Sequence, residues 1–419
     1  MMNRRVFLKN GSLAMLTLGF APAFMTRTVE AVRARRKVLV AIFQRGAVDG
    51  LNMVVPFGDR AYYQARPSIA IPSPGAKQQD AALDLDGFFG LHPRMAPLVP
   101  FFRDGSLAIV HATGSPDDTR SHFDAQDYME SGTPGVKSTR DGWMNRYLHA
   151  KEHDSASPFR AVALTTQLPR SLQGSAPALA ISSLSQFGIR AGRNSDAVSS
   201  TFEAEYAQAA DALLRPTGQE AFDAVRMLKS TNPDAYTPAN GAEYARTGFG
   251  EALRQVAQLI KADLGLEVAF TELGNWDHHI NEGSTTGQIA QRLDEFSKGI
   301  AAFAQDMGDA MADVVLVTMS EFGRAVQENG NRGTDHGHGN AMLILGGPVK
   351  GGKVYGTWPG LAPDQRWEGR DLAITTDFRD VFSEIVKGHL EAADISKIFP
   401  AGVGDRRYQF KQPLGFLRA

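Results

Sequence analysis

The sequence predicts an α/β sandwich built on a mainly parallel sheet. Two observations support this prediction: short, continuous apolar runs recur along the chain, and amphipathic helical patterns separate the later ones. Continuous Val, Ile and Leu runs are typical of strands that are buried on both faces, which occur mostly in parallel sheets covered by helices. The candidate strands are 37–43, 106–114, 266–274, 312–320 and 341–347.

The two clearest helices lie between and before these later strands. Within 287–307, apolar residues recur at spacings of three and four, with polar residues between them. A second amphipathic pattern covers 243–262. With strands 266–272 and 313–319, these helices predict a β-α-β unit preceded by a helix, which is the building block of a parallel sheet.

The first residues predict export. Arg4 and Arg5, followed by Phe7-Leu8-Lys9, match the R-R-x-F-L-K pattern of twin-arginine signal peptides, and Ala21-Pro22-Ala23 offers a cleavage site near Ala23. The alternative is a basic, amphipathic start to a cytosolic domain. We expect a periplasmic or secreted protein that has the twin-arginine export machinery as a partner and no transmembrane segment in its mature form.

The predicted organisation is simple. Residues 1–36 form the signal peptide and a short linker, and 37–419 form a single α/β domain. A polar, helix-prone stretch at about 193–247 predicts a helical insertion or cap within that domain.

Composition excludes several functional classes. The 419 residues include no cysteine, so disulfides, thiolate metal sites and a cysteine nucleophile are impossible. The formal net charge of −2 gives no support for nucleic-acid binding. Because no disulfide can form, the stability of the fold must come from a large apolar core.

Polar clusters fall repeatedly at the ends of the predicted strands. Ligands of open parallel sheets bind beyond the carboxyl ends of the strands, so these clusters predict one site. The clusters are Asp49, Ser121-His122, Asp277-His278-His279, Ser320-Glu321-Phe322-Gly323-Arg324 and Asp335-His336-Gly337-His338, the last of which precedes a strand.

These residue types suit metal binding. Asp277 and His279 can turn toward one cation, although Asp277 can instead cap a turn beside solvated histidines. Glu321 can act as a ligand or a base, and Arg324 can hold an anionic substrate group; the alternative is a structural Glu–Arg pair. Glycines around His336 and His338 free the backbone, so that either imidazole can project toward the metal.

Ser121 stands before a helical stretch, with Asp124 three residues on. This pattern predicts either an N-cap or a nucleophile activated by the positive potential of the helix N-terminus. His122, its neighbour, is a further candidate catalytic residue.

Several segments resemble those of a known family. They are "DGLNMVVPFGD", "TRSHFDAQDYMESG", "GNWDHHIN", "VVLVTMSEFGR" and "GTDHGHGNAMLILGG". The chain resembles the twin-arginine-exported bacterial family called domain of unknown function 1501, within the alkaline phosphatase/sulfatase superfamily. The resemblance implies an alkaline-phosphatase-like three-layer α/β/α sandwich and metal-dependent hydrolysis of a phosphate or sulfate ester, in a small molecule or a polysaccharide.

The resemblance also implies roles for individual residues. Ser121 corresponds to the nucleophile at a helix start. The metal would be a divalent cation, whether zinc, manganese, calcium or magnesium. The positions that match metal ligands are Asp49, Asp277, His279, Glu321 and one of His336 and His338.

The chain departs from the superfamily pattern at Phe322, which stands where an Asp-His pair has its histidine. A two-zinc site of the phosphatase kind is therefore incomplete. This departure motivates one alternative, a noncatalytic protein that binds an envelope protein or polysaccharide. A metal-dependent phosphomutase-type transferase is a third hypothesis.

Overall fold

The computed structural model describes residues 36–76, 80–151, 157–186, 227–228, 235–400, 408–410 and 412–418. The strands are β1 (Val38–Gln44), β2 (Val54–Val55), β3 (Leu83–Asp84), β4 (Gly90–Leu91), β5 (Leu107–Gly114), β6 (Ala161–Ala163), β7 (Leu179–Ala180), β8 (Val268–Leu273), β9 (Val314–Met319), β10 (Arg324–Glu328), β11 (Thr334–His336), β12 (Asn340–Gly346), β13 (Lys353–Tyr355) and β14 (Thr376–Asp377). The helices, numbered within these residues, are α1 (Gly50–Met53), α2 (Arg60–Ala65), α3 (Val99–Arg103), α4 (His122–Ser131), α5 (Trp143–Ala150), α6 (Gly248–Lys261), α7 (Gln288–Met307) and α8 (Phe378–Gly388).

A nine-stranded sheet forms the centre of the fold. Its order is β13-β5-β12-β9-β1-β8-β6-β7, with β14 paired to β5. Every pairing is parallel except those of β12, which runs antiparallel to both β5 and β9. The five predicted strands are all present, and β1 lies between β8 and β9, so the predicted β-α-β unit crosses over β1.

The direction of β12 decides where its preceding loop lies. Because β5 and β9 are parallel to each other and β12 opposes both, the start of β12 lies at the carboxyl ends of its neighbours. The stretch 333–339 therefore meets the ends of β1, β8 and β9 at one edge of the sheet.

Two apolar cores cover the two faces of the sheet. On β1, Val38, Val40 and Ile42 join the core that contains residues of α6 and α7. The alternate residues Leu39, Ala41 and Phe43 join the core that contains residues of α5 and α8. This alternation confirms the predicted three-layer sandwich with a mainly parallel sheet.

Two expectations fall largely or wholly outside the described residues: the signal peptide within 1–36 and most of the helical insertion at 193–247. Within the part of the chain that the structure describes, no helix is both long and apolar enough to cross a membrane.

Candidate metal centre

Three histidines and one aspartate converge at the predicted edge of the sheet. His122 is the first residue of α4, His336 ends β11, and Asp277 and His279 lie in the loop after β8. The ligand atoms of His122, Asp277 and His336 all lie within 4.8 Å of one another. His279 joins them, since its Nε2 atom lies 3.0 Å from both His336 Nε2 and Asp277 Oδ1.

Hydrogen bonds determine which nitrogen of each ring carries the proton. The Nδ1 atom of His336 lies 2.8 Å from the carbonyl oxygen of Arg120, which can only accept a hydrogen bond. Nδ1 of His122 lies 2.8 Å from Glu321 Oε1 and donates to it in the same way. In the neutral rings both Nε2 atoms are therefore unprotonated and carry a lone pair. The two Nε2 atoms face each other at 3.0 Å.

This arrangement fits a metal cation. Two facing lone pairs at hydrogen-bond distance need a positive charge between them, either a proton or a metal. In a tetrahedral site with metal–nitrogen bonds of about 2.0–2.1 Å, neighbouring ligand atoms are about 3.3 Å apart. The contacts of His336 Nε2 with His122, His279 and Asp277 span 3.0–3.3 Å, close to that spacing.

Glu321 orients His122 from behind. Its side chain is fully buried and also accepts hydrogen bonds from the Gly46 backbone N–H at 2.8 Å and from Gln126 at 2.9 Å. Burial opposes ionisation, but the hydrogen bonds from His122 and Gln126 outweigh it and lower the pKa of Glu321. The same bond to Glu321 raises the pKa of His122, against the effect of partial burial. Such carboxylate–histidine pairs are typical of metal sites.

Asp277 is held by Arg324. The Arg324 guanidinium donates to Asp277 Oδ1 at 2.6 Å. Burial raises the pKa of Asp277, but the hydrogen bond and charge of Arg324 outweigh it, so the pKa lies below its usual range. Asp277 and His279 remain 42% and 40% exposed, so the cluster opens to solvent on their side.

His336 is kept neutral by its surroundings. Burial, together with the positive charges nearby, lowers the pKa of His336, although the bond to the Arg120 carbonyl works against this shift. A neutral imidazole is the form that binds a metal. Because its Nε2 atom contacts His122 and His279, His336 is the histidine of the pair 336/338 that faces the cluster.

Three predicted site residues have other partners. The carboxylate of Asp49 forms a two-pronged ion pair with the fully buried Arg66 and caps α1 through the Leu51 N–H. His338 is buried against Trp367, with ring centroids 5.2 Å apart. Arg324 is not free to hold a substrate anion, because its fully buried guanidinium binds backbone carbonyls as well as Asp277.

Ser121 occupies the N-cap of α4, as one of its two predicted roles requires. Its Oγ accepts a hydrogen bond from the Asp124 N–H at 3.5 Å, which is long for such a bond. The Asp124 carboxylate does not complete a capping box and instead pairs with Lys137 at 2.8 Å. His122, predicted as catalytic, points its ring into the cluster and is placed as a candidate ligand.

Sequence reasoning assigned no role to two supporting residues. Gln126 lies one turn after His122 on α4, so the i, i+4 spacing could have indicated that both side chains reach Glu321. Asp335 lies 3.5 Å from His279 Nδ1 and is held by Asn329 at 3.1 Å. No sequence signal distinguishes Asp335 from an ordinary solvated aspartate.

The glycines of the 333–339 stretch serve close packing. A Cβ on Gly337 would lie 2.3 Å from the Arg324 backbone, and one on Gly333 would lie 2.4 Å from that of His279. Neither glycine has a left-handed φ, so the expectation that they free the backbone is wrong in its mechanism. They let the strand that carries His336 lie directly against its neighbours.

Comparison with known proteins identifies a family. The family described as protein of unknown function (DUF1501) matches residues 36–380, which is most of the chain. This protein belongs to that family. All four residues of the cluster lie within the matched region. No curated protein matches this DUF1501 member in sequence.

Several solved structures are distantly similar to this DUF1501 protein. The PsFucS1 sulfatase from Pseudoalteromonas sp. is 10% identical over 94% of this chain and 75% of that chain, with a TM-score of 0.37. The C-terminal periplasmic domain of EcEptC from Escherichia coli, solved in complex with zinc, is 9% identical over 75% and 74% of the two chains, with a TM-score of 0.35. A Vibrio parahaemolyticus protein of the alkaline phosphatase superfamily is 10% identical over 75% and 60%, with a TM-score of 0.29.

Proposed function

We propose that this protein is an exported, metal-dependent hydrolase of phosphate or sulfate esters. His122, Asp277 and His336 hold one divalent cation, and His279 completes the set. The observation that carries the proposal is the pair of Nε2 lone pairs of His122 and His336, which face each other at 3.0 Å. A cation bound there polarises the ester oxygen and lowers the pKa of the attacking group.

The ligand set narrows the choice of cation. Three imidazole nitrogens and one carboxylate suit zinc, with manganese as the next choice. Calcium and magnesium prefer sites built from oxygen ligands alone. The proposal therefore favours zinc or manganese among the four divalent cations expected from the sequence.

The protein's own residues position the reacting groups. Glu321 fixes the ring of His122 and Arg324 fixes Asp277, so neither ligand needs to reorganise when substrate arrives. Ser121 precedes a ligand at the N-terminus of α4, where the positive end of the helix favours its alkoxide. It remains the candidate nucleophile, which would displace the alcohol of the ester and then be released by water.

A second function is a noncatalytic one, in which the metal site holds loops that bind an envelope protein or polysaccharide. Phe322 favours this alternative. Its buried ring packs on His122 and His336, with centroids 4.9 and 5.0 Å away, so the position offers no second set of ligands. This alternative predicts binding to envelope material without turnover of any ester.

Hydrolysis of 4-nitrophenyl phosphate and 4-nitrophenyl sulfate by the purified protein tests the main proposal. We expect turnover of at least one ester, its loss on chelation and its recovery when zinc or manganese is returned. Asp277→Asn should abolish this turnover, whereas Asp294→Asn, on an exposed turn of α7, should not. A metal-loaded protein that cleaves neither ester would refute the proposal and favour the noncatalytic function.

A further inference from the structure

Large apolar side chains are exposed beside the metal centre. Among the described residues, the large hydrophobic side chains that remain exposed are Phe123, Ile280 and Trp367, at 89%, 57% and 41%. Single exposed apolar residues are common on protein surfaces and need no explanation. Here, however, each of the three adjoins a residue of the cluster or the loop that carries it.

Each of these three residues is next to a cluster residue in the chain or packs on the segment that carries one. Phe123 follows His122 in the first turn of α4, and Ile280 follows His279. Trp367 stacks on His338, two residues after His336. Leaving a Phe or Ile side chain in water forgoes about 1.5–3 kcal/mol of burial, so their coincidence at one site points to a ligand that covers them.

Three arginines beside the cluster are already paired. Arg45 binds Glu272 at 2.5 Å and Glu130 at 2.9 Å. Arg120 binds Asp371 at 2.7 Å and Glu368 at 2.8 Å. Arg324 is committed to Asp277 and to backbone carbonyls. A ligand with several anionic groups would therefore find none of these three guanidinium groups free.

Three exposed carboxylates and one exposed arginine, Arg370, which lies 3.5 Å from Asp371, are next to these groups. Asp335, beside His279, is 55% exposed. Glu368, beside Arg120, is 53% exposed, and Glu272, beside Arg45, is 39% exposed. Because Arg45 and Arg120 each meet two carboxylates, they offer no unpaired positive charge to a polyanion such as a heavily sulfated polysaccharide.

We propose that the substrate of this site carries one charged reacting group joined to an apolar group that lies on Phe123, Ile280 and Trp367. This inference rests on the proposed ester hydrolase function and names its substrate class. The cation takes the single charged group, while the apolar remainder covers the exposed side chains. The three residues are specificity-determining and take no part in the chemical step.

Binding of nonhydrolysable phosphonates to the metal-loaded protein tests the inference without requiring turnover. Phenylphosphonate and methylphosphonate carry the same charged group and differ only in the apolar group. Isothermal titration calorimetry should show phenylphosphonate binding about tenfold or more tightly, since burying a ring is favourable. The variants Phe123→Ser, Ile280→Ser and Trp367→Ser should each reduce this ratio severalfold and leave methylphosphonate binding and metal content unchanged.

A matched control lies elsewhere on the chain. Phe410 is a partly buried aromatic residue. It lies beside Lys387, which is in the last turn of α8. The variant Phe410→Ser should bind both phosphonates as the wild type does. If Phe410→Ser lowers the ratio as much as Phe123→Ser does, the effect is not local to the site and the inference is overturned.

Two outcomes separate this inference from the proposed function. Equal affinity for the two phosphonates in the wild-type protein would overturn the inference and leave ester hydrolysis intact. Binding of neither would overturn both. A third outcome also counts against it: if the three variants lose sedimentation with phosphatidylglycerol vesicles but keep the wild-type phosphonate ratio, the exposed side chains bind a lipid surface.

Discussion

His122 and His336 point their Nε2 atoms at each other across 3.0 Å, while Glu321 and the Arg120 carbonyl occupy their Nδ1 atoms. Residues that are far apart in sequence, on α4 and β11, bring these rings together. Neither ring has a spare donor in its neutral form, so the pair is stabilised only by a cation between them.

Glu321 should control metal affinity without binding the metal. Its charged hydrogen bond to His122 fixes the ring and makes Nε2 a stronger ligand. We expect Glu321→Gln to weaken binding of zinc about 10- to 100-fold, measured by competition with a chromophoric chelator. Glu328→Gln, which removes a carboxylate that binds Ser68, is the matched control and should bind zinc normally. An unchanged zinc affinity in Glu321→Gln would show that Glu321 does not control metal binding.

The two roles of Ser121, as N-cap of α4 and as nucleophile, should be separable by substitution. Asparagine is as good an N-cap as serine but has no hydroxyl, so Ser121→Asn keeps the cap and removes the nucleophile. We expect this variant to retain the metal and the stability of the wild type while ester turnover falls about a thousandfold or more. Ser121→Ala should lose turnover and also about 1 kcal/mol of stability. Wild-type turnover in Ser121→Asn would show that another group attacks the ester.

Arg324 should be mainly a structural residue. Its buried guanidinium joins the loops after β1 and β8 to β11 by donating to the carbonyls of Gly46, Trp276 and Thr334. Arg324→Met leaves those carbonyls and Asp277 without their donor, so we expect the free energy of unfolding to fall by about 3–5 kcal/mol. Denaturant unfolding measures this, with the exposed pair variant Arg254→Met as a control that should lose less than about 1 kcal/mol. A variant as stable as the wild type would contradict this role.

Glu282 should make stability depend on pH. Burial, and then the adjacent carboxylate of Asp49, raise the pKa of Glu282 well above its usual value of 4.5. The folded state therefore keeps a proton that the unfolded chain releases, and stability falls as pH rises above 4.5 toward the folded pKa. Glutamine cannot ionise, so Glu282→Gln should gain stability relative to the wild type as the pH rises above 4.5.

Denaturant unfolding at several pH values tests the Glu282 prediction. Glu267→Gln is the matched control, because Glu267 is also buried but pairs with Arg160 at 3.0 Å. It should be destabilised by a similar amount at each pH. Parallel stability profiles for Glu282→Gln and the wild type would show that Glu282 is ionised in the folded protein.

The fold could be predicted well because its strands are continuous apolar runs. The run at 37–43 reads as a buried strand, and β1 is buried along its whole length. The direction of β12 could not be predicted, since a run that is buried on both faces looks the same whether its neighbours are parallel or antiparallel. The position of β1 between β8 and β9 depends on long-range pairing, which local patterns do not encode.

The edge of the site could be predicted, but the inward-facing residue of each cluster could not. His336 and His338 are two residues apart, and only the stacking of His338 on Trp367 separates them. Asp49 has the residue type and strand-end position expected of a ligand, yet a buried arginine 17 positions later takes both its oxygens. Which residue of each cluster faces the site depends on side chains that are distant in the sequence and close in the fold.

The metal content of the purified protein tests whether His122 and His336 hold a cation between them. Elemental analysis of wild-type protein, His336→Ala and His338→Ala, prepared without chelators, compares two histidines that are two residues apart. We expect about one zinc or manganese per chain in the wild type and in His338→Ala, and less than about a tenth of that in His336→Ala. Equal metal content in His336→Ala and the wild type, or a wild-type protein that takes up no divalent metal, would contradict this expectation.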